Sequence, residues 1–264
     1  MARRIAVAAT APFGADVLER LAAEHEVVQV FTRPDKPRGR GRKLAPPPAK
    51  EVAQRLGIPV EQPARLDSSV GIAAHAVVVC AYGLLIPNAL LDRALWLNVH
   101  PSLLPRWRGA APVERALMAG DVETGVTIHR TAEALDAGPV AAMRAFPVAP
   151  EDDAGAVYAR AAEVAAELLR DVLAQDEPRF EPQPEEGATY AEKIGPADRE
   201  LDPDAPAEQL VNRVRALSPH IGARLGDLII WRARVGEDGA FEPVEVQPAG
   251  GRRMAYDAYL RGRR

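Results

Sequence analysis

The sequence contains a single cysteine, Cys80, among its 264 residues. One thiol excludes an internal disulfide framework and any zinc cluster built from several cysteines. Aromatic residues are also scarce, at 5%, whereas hydrophobic residues at 47% and charged residues at 27% are typical of a globular protein. No apolar run reaches the roughly 18 residues that a membrane-spanning helix requires. We therefore expect one large or two unequal globular domains.

Positive charge is not in excess, because 33 basic residues face 37 acidic ones and the net charge is -4. The whole molecule is therefore not a basic nucleic-acid binder, and such a role requires a local patch. Residues 33–43 form one, with six basic residues and one acidic residue. Its glycines and prolines predict a flexible, non-helical loop. Its composition fits either phosphate binding or a solvated surface loop.

The N-terminus has two possible interpretations. Two arginines followed by the apolar residues 5–9 resemble a short signal peptide. The same residues also suit a first β-strand, and Val17, Leu18 and Leu21 then recur at helical spacing within residues 16–24. The second interpretation is favoured, and we expect a cytoplasmic protein.

The first part of the chain alternates short apolar runs with helical stretches. Strands are predicted at residues 5–9, 27–31, 58–60, 76–80, 95–99, 125–130 and 140–148. Helices are predicted at residues 16–24, 48–56, 110–119 and 154–174, the last with Asp152 or Asp153 as its N-cap. This alternation predicts an α/β fold with a mostly parallel sheet and helices on both faces. Reactive groups in such folds gather at the carboxyl ends of the strands.

The last third of the chain has a different pattern. Residues 176–187 are acidic and rich in proline, which is typical of a linker. A helix at 208–217 and strands at 228–235 and 241–246 then predict a small second unit. At about 5–6 residues per strand, residues 222–264 hold three or four strands, enough for a reduced barrel or an open sheet.

Three polar residues form the candidate chemical site. Asn98 and His100 are two positions apart at the end of a predicted strand, so their side chains point to the same side. An amide and an imidazole together offer a donor for a developing oxyanion and a proton carrier. Asp136 lies in a loop with glycine and proline, where a carboxylate is able to orient His100. A turn-capping asparagine, a half-buried histidine and a turn-forming aspartate are the structural alternatives.

Other reactive residue types lack a matching context. Ser102 has no Gly-x-Ser-x-Gly motif, so a nucleophile elbow is not predicted. Cys80 ends a buried strand and is predicted to be a core residue. The remaining histidines show no metal-ligand spacing, so no metal site is assigned; they are His25, His75, His129 and His220.

Several segments, in order along most of the chain, resemble the methionyl-tRNA formyltransferases. The central one runs Asn98-Val-His-Pro-Ser-Leu-Leu-Pro105 and continues to Pro112. The others are residues 31–44, 80–87, 120–127, 135–138, 189–193 and 246–251. Together these segments are far more specific than any one alone.

The resemblance implies formyl transfer from N10-formyltetrahydrofolate to the amino group of methionyl initiator tRNA. It implies a Rossmann-like catalytic domain at residues 1–187, a linker at 188–204 and a small, truncated OB-like domain at 205–264. It assigns catalytic roles to Asn98, His100 and Asp136, with no metal. It assigns folate binding to Ser102, Leu103, Leu104, Pro105, Tyr82, Gly83, Leu84, Leu85 and Ile86. It assigns tRNA binding to Arg33, Lys36, Arg38, Arg40, Arg42 and Lys43, in a protein expected to be a monomer.

Other functions fit parts of the same pattern. A folate-dependent sugar N-formyltransferase, or another amine formyltransferase, would share the Asn98, His100 and Asp136 core. A non-catalytic RNA-binding protein would keep only the scaffold. The basic loop favours tRNA over an amino sugar, because a nucleotide sugar needs fewer phosphate contacts. The intact trio favours an enzyme.

Overall fold

In the computed structural model, which describes residues 3–38 and 41–262, the chain forms two compact units. The first comprises Met1–Arg108, Gly125–Ala145 and Ala159–Ala188. The second comprises Gly109–Thr124, Phe146–Tyr158 and Thr189–Arg264. Both units are therefore discontinuous in sequence. The domain boundaries implied by the resemblance stay a prediction.

The elements of both units are as follows. The strands are β1 (Arg4–Ala9), β2 (Glu26–Phe31), β3 (Lys36–Arg38), β4 (Lys43–Ala45), β5 (Val60–Glu61), β6 (Ala76–Cys80), β7 (Leu95–His100), β8 (Arg108–Gly109), β9 (Glu123–Arg130), β10 (Val140–Pro147), β11 (Tyr190–Ala191), β12 (Ala223–Leu225), β13 (Leu228–Val235), β14 (Phe241–Pro248) and β15 (Met254–Ala255). The helices are α1 (Pro12–Glu24), α2 (Pro48–Arg55), α3 (Asn88–Leu91), α4 (Pro112–Ala119), α5 (Ala154–Leu173), α6 (Ala207–Leu217) and α7 (Tyr256–Arg261), with a 3₁₀ turn at Ala197–Arg199.

The central sheet has seven strands in the order β10-β9-β7-β6-β1-β2-β5. The pairs β1/β2, β1/β6, β2/β5 and β6/β7 are parallel, whereas β7/β9 is antiparallel. The chain first adds β2 and β5 on one side of β1. It then adds β6, β7, β9 and β10 on the other side. The strand order therefore reverses between β1 and β6, which is where open α/β sheets bind ligands.

Burial explains why the central strands form. All five residues of β6 are buried, as expected for a parallel strand covered on both faces. Tyr82, Phe31 and Trp96 fill one core cluster on this sheet. Trp96 Nε1 donates to the carbonyl oxygen of Leu90 at 2.8 Å, which satisfies its polar group inside that core.

The predicted α/β class with a mostly parallel sheet is confirmed, and most predicted elements lie within a few residues of the observed ones. Asp153 caps α5, since its Oδ1 accepts from the amide of Ala156 at 2.9 Å. Two expectations differ from the structure. Part of the basic loop forms an antiparallel hairpin of β3 and β4. The proline-rich segment 176–187 is not a free linker, because Glu181 pairs with Val140 of β10.

The second unit contains an antiparallel sheet in the order β12-β13-β14-β15, and its four strands agree with the three or four expected in residues 222–264. Its core brings Leu210, Val214 and Leu217 of α6 together with Ile230 and Val246 of the sheet. The α4 helix ends at Gly120, whose φ of +76° suits a glycine at this left-handed position. No helix in the described part of the chain is long and apolar enough to cross a membrane.

Candidate active site

Asn98, His100 and Asp136 come together in the first unit. Asn98 and His100 alternate along β7, next to the antiparallel strand β9. Asp136 lies in the loop between β9 and β10. Its Oδ1 is 3.0 Å from Asn98 Nδ2 and its Oδ2 is 3.7 Å from His100 Nδ1. The structure therefore brings together three residues whose proximity could not be decided from their spacing in the sequence.

The protonation of His100 follows from its surroundings. Its Nε2 lies 2.8 Å from the carbonyl oxygen of Trp107, and because a carbonyl only accepts, Nε2 carries the hydrogen. Burial lowers the pKa of His100, while Asp136 and the Trp107 carbonyl act to raise it. The residue is only 4% exposed. His100 is thus neutral at neutral pH, with the Nδ1 lone pair beside Asp136.

Asn98 is held on two sides. Its Nδ2 donates to Asp136 Oδ1 at 3.0 Å and lies 3.1 Å from His129 Nε2. His129 Nδ1 lies 3.0 Å from the carbonyl oxygen of Arg130, so Nδ1 carries the hydrogen and Nε2 accepts from Asn98. Both amide hydrogens of Asn98 are therefore engaged. In this arrangement Asn98 orients Asp136, a role that sequence reasoning did not assign to it.

His129 is a site residue that sequence analysis missed, since it was considered only as a metal ligand. It is buried on β9 directly opposite Asn98 in the antiparallel register. A signal was present in the sequence. Thr127 and His129 are polar residues that alternate with the apolar residues Val126 and Ile128, which places both of them on one face of the strand.

The segment after β7 is a tightly bonded turn. Ser102 Oγ donates to the carbonyl oxygen of Arg106 at 2.7 Å. Thr127 Oγ1 donates to the carbonyl oxygen of Ser102 at 2.7 Å and accepts from the amide of Leu104 at 3.1 Å. Ser102 and Leu104 are buried, while Leu103 and Pro105 are half-buried. Two of the four predicted folate contacts thus lie at the accessible surface of the turn.

The loop after β6 also contains both buried and accessible residues among the predicted folate contacts. Tyr82 and Ile86 are buried in the core, Leu84 is half-buried, and Gly83 and Leu85 are exposed. The Tyr82 carbonyl accepts from Thr10 Oγ1 at 2.8 Å, which joins the ends of β6 and β1. Burial raises the pKa of the Tyr82 hydroxyl to about 12. Leu85 is 82% exposed, an unusual position for a large apolar side chain.

The predicted tRNA-binding residues lie on or beside the hairpin of β3 and β4. Lys36, Arg42 and Lys43 are exposed, and Arg33 is half-buried just before the hairpin. Arg38 pairs with Lys43 across the two strands. Arg40 lies outside the described residues. The hairpin therefore presents several cations to the surface.

An ion-pair network fixes the base of this hairpin. Lys50 Nζ donates to Asp35 Oδ1 at 2.8 Å and to Gln62 Oε1 at 2.7 Å. Gln62 Nε2 donates in turn to the carbonyl oxygen of Arg33 at 2.8 Å. The hydrogen bonds from Lys50 and Gln62 lower the pKa of Asp35. Asp35 thus remains charged and holds the strand that enters the hairpin.

A cavity of about 270 Å³ lies beside the hairpin. Its wall is formed by Thr10, Ala11, Pro12, Arg33, Pro34, Lys36, Ala45, Pro46, Pro47 and Pro48. Apolar groups and two cations therefore face the same space. Among the described residues, no group of three or more histidine, cysteine or carboxylate side chains is arranged to hold a metal ion.

Comparison with known proteins gives consistent results. A family model described as formyl transferase matches residues 3–173. A methionyl-tRNA formyltransferase of Halorhodospira halophila is 42% identical over 303 aligned positions, covering 100% of this chain and 97% of that protein. Since the alignment is longer than this chain of 264 residues, that relative contains segments that this chain lacks.

Solved structures agree in fold. A methionyl-tRNA formyltransferase from Clostridium thermocellum superposes with a TM-score of 0.65 at 16% identity, covering 93% of this chain and 98% of that one. An N-formyltransferase from Helicobacter canadensis, in complex with folinic acid and dTDP-3-aminofucose, superposes with a TM-score of 0.70 at 16% identity. That comparison covers 97% of this chain and 99% of the other.

Proposed function

The chain belongs to the formyl transferase family and, within it, to the methionyl-tRNA formyltransferases, and on that premise we propose that it transfers a formyl group from N10-formyltetrahydrofolate to the amino group of methionyl initiator tRNA. The observation that best supports the chemistry is the placement of His100 Nδ1 beside the carboxylate of Asp136. A neutral, buried base next to a carboxylate suits proton transfer from an attacking amine.

His100 acts through Nδ1, because Nε2 is committed to the Trp107 carbonyl. As the amine forms its bond to the formyl carbon, Nδ1 takes the proton that the amine nitrogen loses. Asp136 stabilises the resulting imidazolium, as a carboxylate beside a catalytic histidine does. Nδ1 then returns the proton to the departing nitrogen, so no net proton is gained or lost. General acid–base catalysis of this kind contributes about 10²–10⁴ in rate.

Asn98 contributes first by orientation. Its Nδ2 donates to Asp136 Oδ1 at 3.0 Å, whereas Asp136 Oδ2 is the oxygen that faces His100. Donation to the developing formyl oxyanion requires Asn98 to release one of its two present partners. A donor aimed at an oxyanion is worth roughly 3–4 kcal/mol, which exceeds the ~1 kcal/mol of one neutral hydrogen bond. The exchange from His129 to the oxyanion is therefore favourable.

The residues at the carboxyl ends of β6 and β7 suit a reduced pterin. Leu85 exposes an apolar side chain there, and Leu84, Leu103 and Pro105 are half-buried. An aromatic, amide-like ring system binds well to apolar surface with a few polar groups nearby. These residues would hold N10-formyltetrahydrofolate, which supplies an activated one-carbon unit when bound.

The hairpin and its neighbouring cavity suit the acceptor. Lys36, Arg42 and Lys43 provide cations for the phosphates of an RNA 3′ end. The cavity combines proline side chains with Arg33 and Lys36, which fits an apolar aminoacyl group next to a phosphate. We propose that the protein acts as a monomer in the cytoplasm, where charged initiator tRNA is available.

A formylation assay tests the proposed function. The protein is incubated with N10-formyltetrahydrofolate and one of three acceptors: methionyl initiator tRNA, free methionine or a panel of nucleotide-linked amino sugars. We expect formylation of the tRNA alone, at a rate that falls steeply with salt, because cation–phosphate contacts are screened and counterions are released. Salt-independent formylation of an amino sugar would instead establish the sugar N-formyltransferase. Formate release without any acceptor would establish a hydrolase.

A further inference from the structure

The proline-rich segment 176–187 belongs to the first unit and pairs with one of its strands. The amide and carbonyl of Glu181 pair with those of Val140 at 2.9 and 2.8 Å. The guanidinium of Arg130 lies over the ring of Phe180, 4.8 Å from its centre. These contacts fix the segment beside the loop that carries Asp136.

Gln183 connects this segment to that loop. Its Nε2 donates to the carbonyl oxygen of Asp136 at 2.8 Å and to that of Gly138 at 2.7 Å. Its Oε1 accepts from Arg108 Nη2 at 3.0 Å and Nε at 3.2 Å. A guanidinium only donates and a carbonyl only accepts, so the orientation of the Gln183 amide is determined by its four contacts.

The surroundings of the Gln183 amide favour stable hydrogen bonds between this side chain and the loop that carries Asp136. Arg108 is only 3% exposed, and a buried guanidinium requires partners. Asp136 has a φ of +49°, in the left-handed region that non-glycine residues seldom adopt. Such a conformation persists only where the neighbouring structure holds it. Gln183 bonds to the strained residue itself and to the glycine two positions later.

We propose that Gln183, oriented by Arg108, is a positioning residue that holds the Asp136 carboxylate against His100. The expected effect of Gln183 on catalysis rests on the proposed function. Its expected effect on the position of the Asp136 carboxylate does not. Gln183 does not touch the reacting atoms. It acts through the backbone of the loop that carries the carboxylate.

Loss of Gln183 should change a property of His100. The charged or titratable groups that face His100 are Asp136 and His129, of which Asp136 raises its pKa and His129 lowers it. If the carboxylate moves away, the raising effect is lost and the pKa of His100 falls. A change that only loosened the fold would lower stability without this shift.

The test uses Gln183→Met, which keeps the length of the side chain and removes its polar groups. Glu186→Gln is the matched control, because Glu186 is an exposed residue on the same segment. We expect kcat for formyl transfer to fall about tenfold or more, since small misplacements of catalytic groups have effects of this size. KM for both substrates should change less than twofold. The acid limb of the pH profile should move to lower pH.

A second measurement needs no substrate and separates this proposal from the proposed function. Titration of His100 by ¹⁵N NMR should give a lower pKa in Gln183→Met and in Asp136→Asn than in the unaltered protein. An unchanged pKa in Gln183→Met, with a lowered one in Asp136→Asn, would overturn the proposal whatever reaction the enzyme catalyses.

Should Gln183→Met fail to fold, Gln183→Glu replaces it. That variant keeps an acceptor for Arg108 and loses both donors to the loop. We expect the same fall in kcat with KM unchanged. A kcat within twofold of the unaltered protein, in a folded Gln183→Glu, would contradict the proposal.

Discussion

His100 Nδ1 lies 3.7 Å from Asp136 Oδ2, although the two residues belong to a strand and a loop that are separated along the chain. The ring nitrogen that faces the carboxylate is the one left without a hydrogen in the neutral form. In the proposed mechanism this nitrogen is the atom that transfers the proton, which makes the role of Asp136 testable.

Substitution of Asp136 should remove much of the activity without unfolding the protein. In Asp136→Asn the side chain keeps its shape but loses the charge that stabilises the imidazolium. We expect kcat for formyl transfer to fall about 10²-fold. Single-turnover formylation of methionyl initiator tRNA, with circular dichroism as the control for folding, measures it. Unaltered turnover would remove Asp136 from the mechanism.

Asn98→Ala should lower turnover by more than about tenfold, because both the orientation of Asp136 and an oxyanion donor are lost. His129→Leu should have a smaller effect, since it removes the acceptor that holds one amide hydrogen of Asn98 but leaves the Asn98 donor and Asp136 in place. His129→Gln supplies an amide oxygen as acceptor and should restore part of the rate. Equal rates for Asn98→Ala and His129→Leu would contradict the separate role of Asn98.

The pH dependence of kcat/KM should show an acid limb set by His100. In the proposed mechanism neutral His100 is the active base, so the rate should fall as pH decreases through its pKa. Burial lowers that pKa, which places the limb below the ordinary histidine value of about 6.5. In Asp136→Asn the limb should move further down, because an effect that raises the pKa is removed. A shift to higher pH would contradict the assignment.

Charge reversal on the basic hairpin should weaken tRNA binding. We expect Lys43→Glu to raise KM for methionyl initiator tRNA, with KM for the formyl donor unchanged. The slope of log affinity against log salt should decrease by about 0.7–0.9 for each phosphate contact that is lost. Arg65→Glu is the control, because it makes the same charge change at an exposed side chain outside the hairpin. A similar rise in KM for both variants would indicate a non-specific charge effect.

Gly138 should tolerate no side chain. A Cβ there would overlap the carbonyl oxygen of Arg130 and lie 3.3 Å from His129 Nδ1. We expect Gly138→Ala to lower the free energy of unfolding by about 1–3 kcal/mol and to reduce kcat by displacing the Asp136 loop. Urea denaturation and the formylation assay measure the two effects. Gly71→Ala, where a Cβ meets nothing within 4 Å, should change neither.

Local pattern was sufficient for most of the fold. The buried run of β6 and the helical spacing of α1 needed no tertiary information, and the strands β13 and β14 were also anticipated. Several short elements were missed, because two- or three-residue strands such as β12 are stabilised by their neighbours rather than by their own sequence. Segment 176–187 was misjudged because its prolines exclude a helix but still allow the isolated pairing of Glu181 with Val140.

By itself, the sequence determined the α/β class, the residue types of the site and the shared orientation of Asn98 and His100, since these depend on periodicity within one strand. Only the tertiary structure decided that Asp136 reaches them, that His129 occupies an amide hydrogen of Asn98, and that Gln183 holds the Asp136 loop. Those contacts join residues far apart along the chain. Their geometry depends on sheet order and loop packing, which local propensities do not encode.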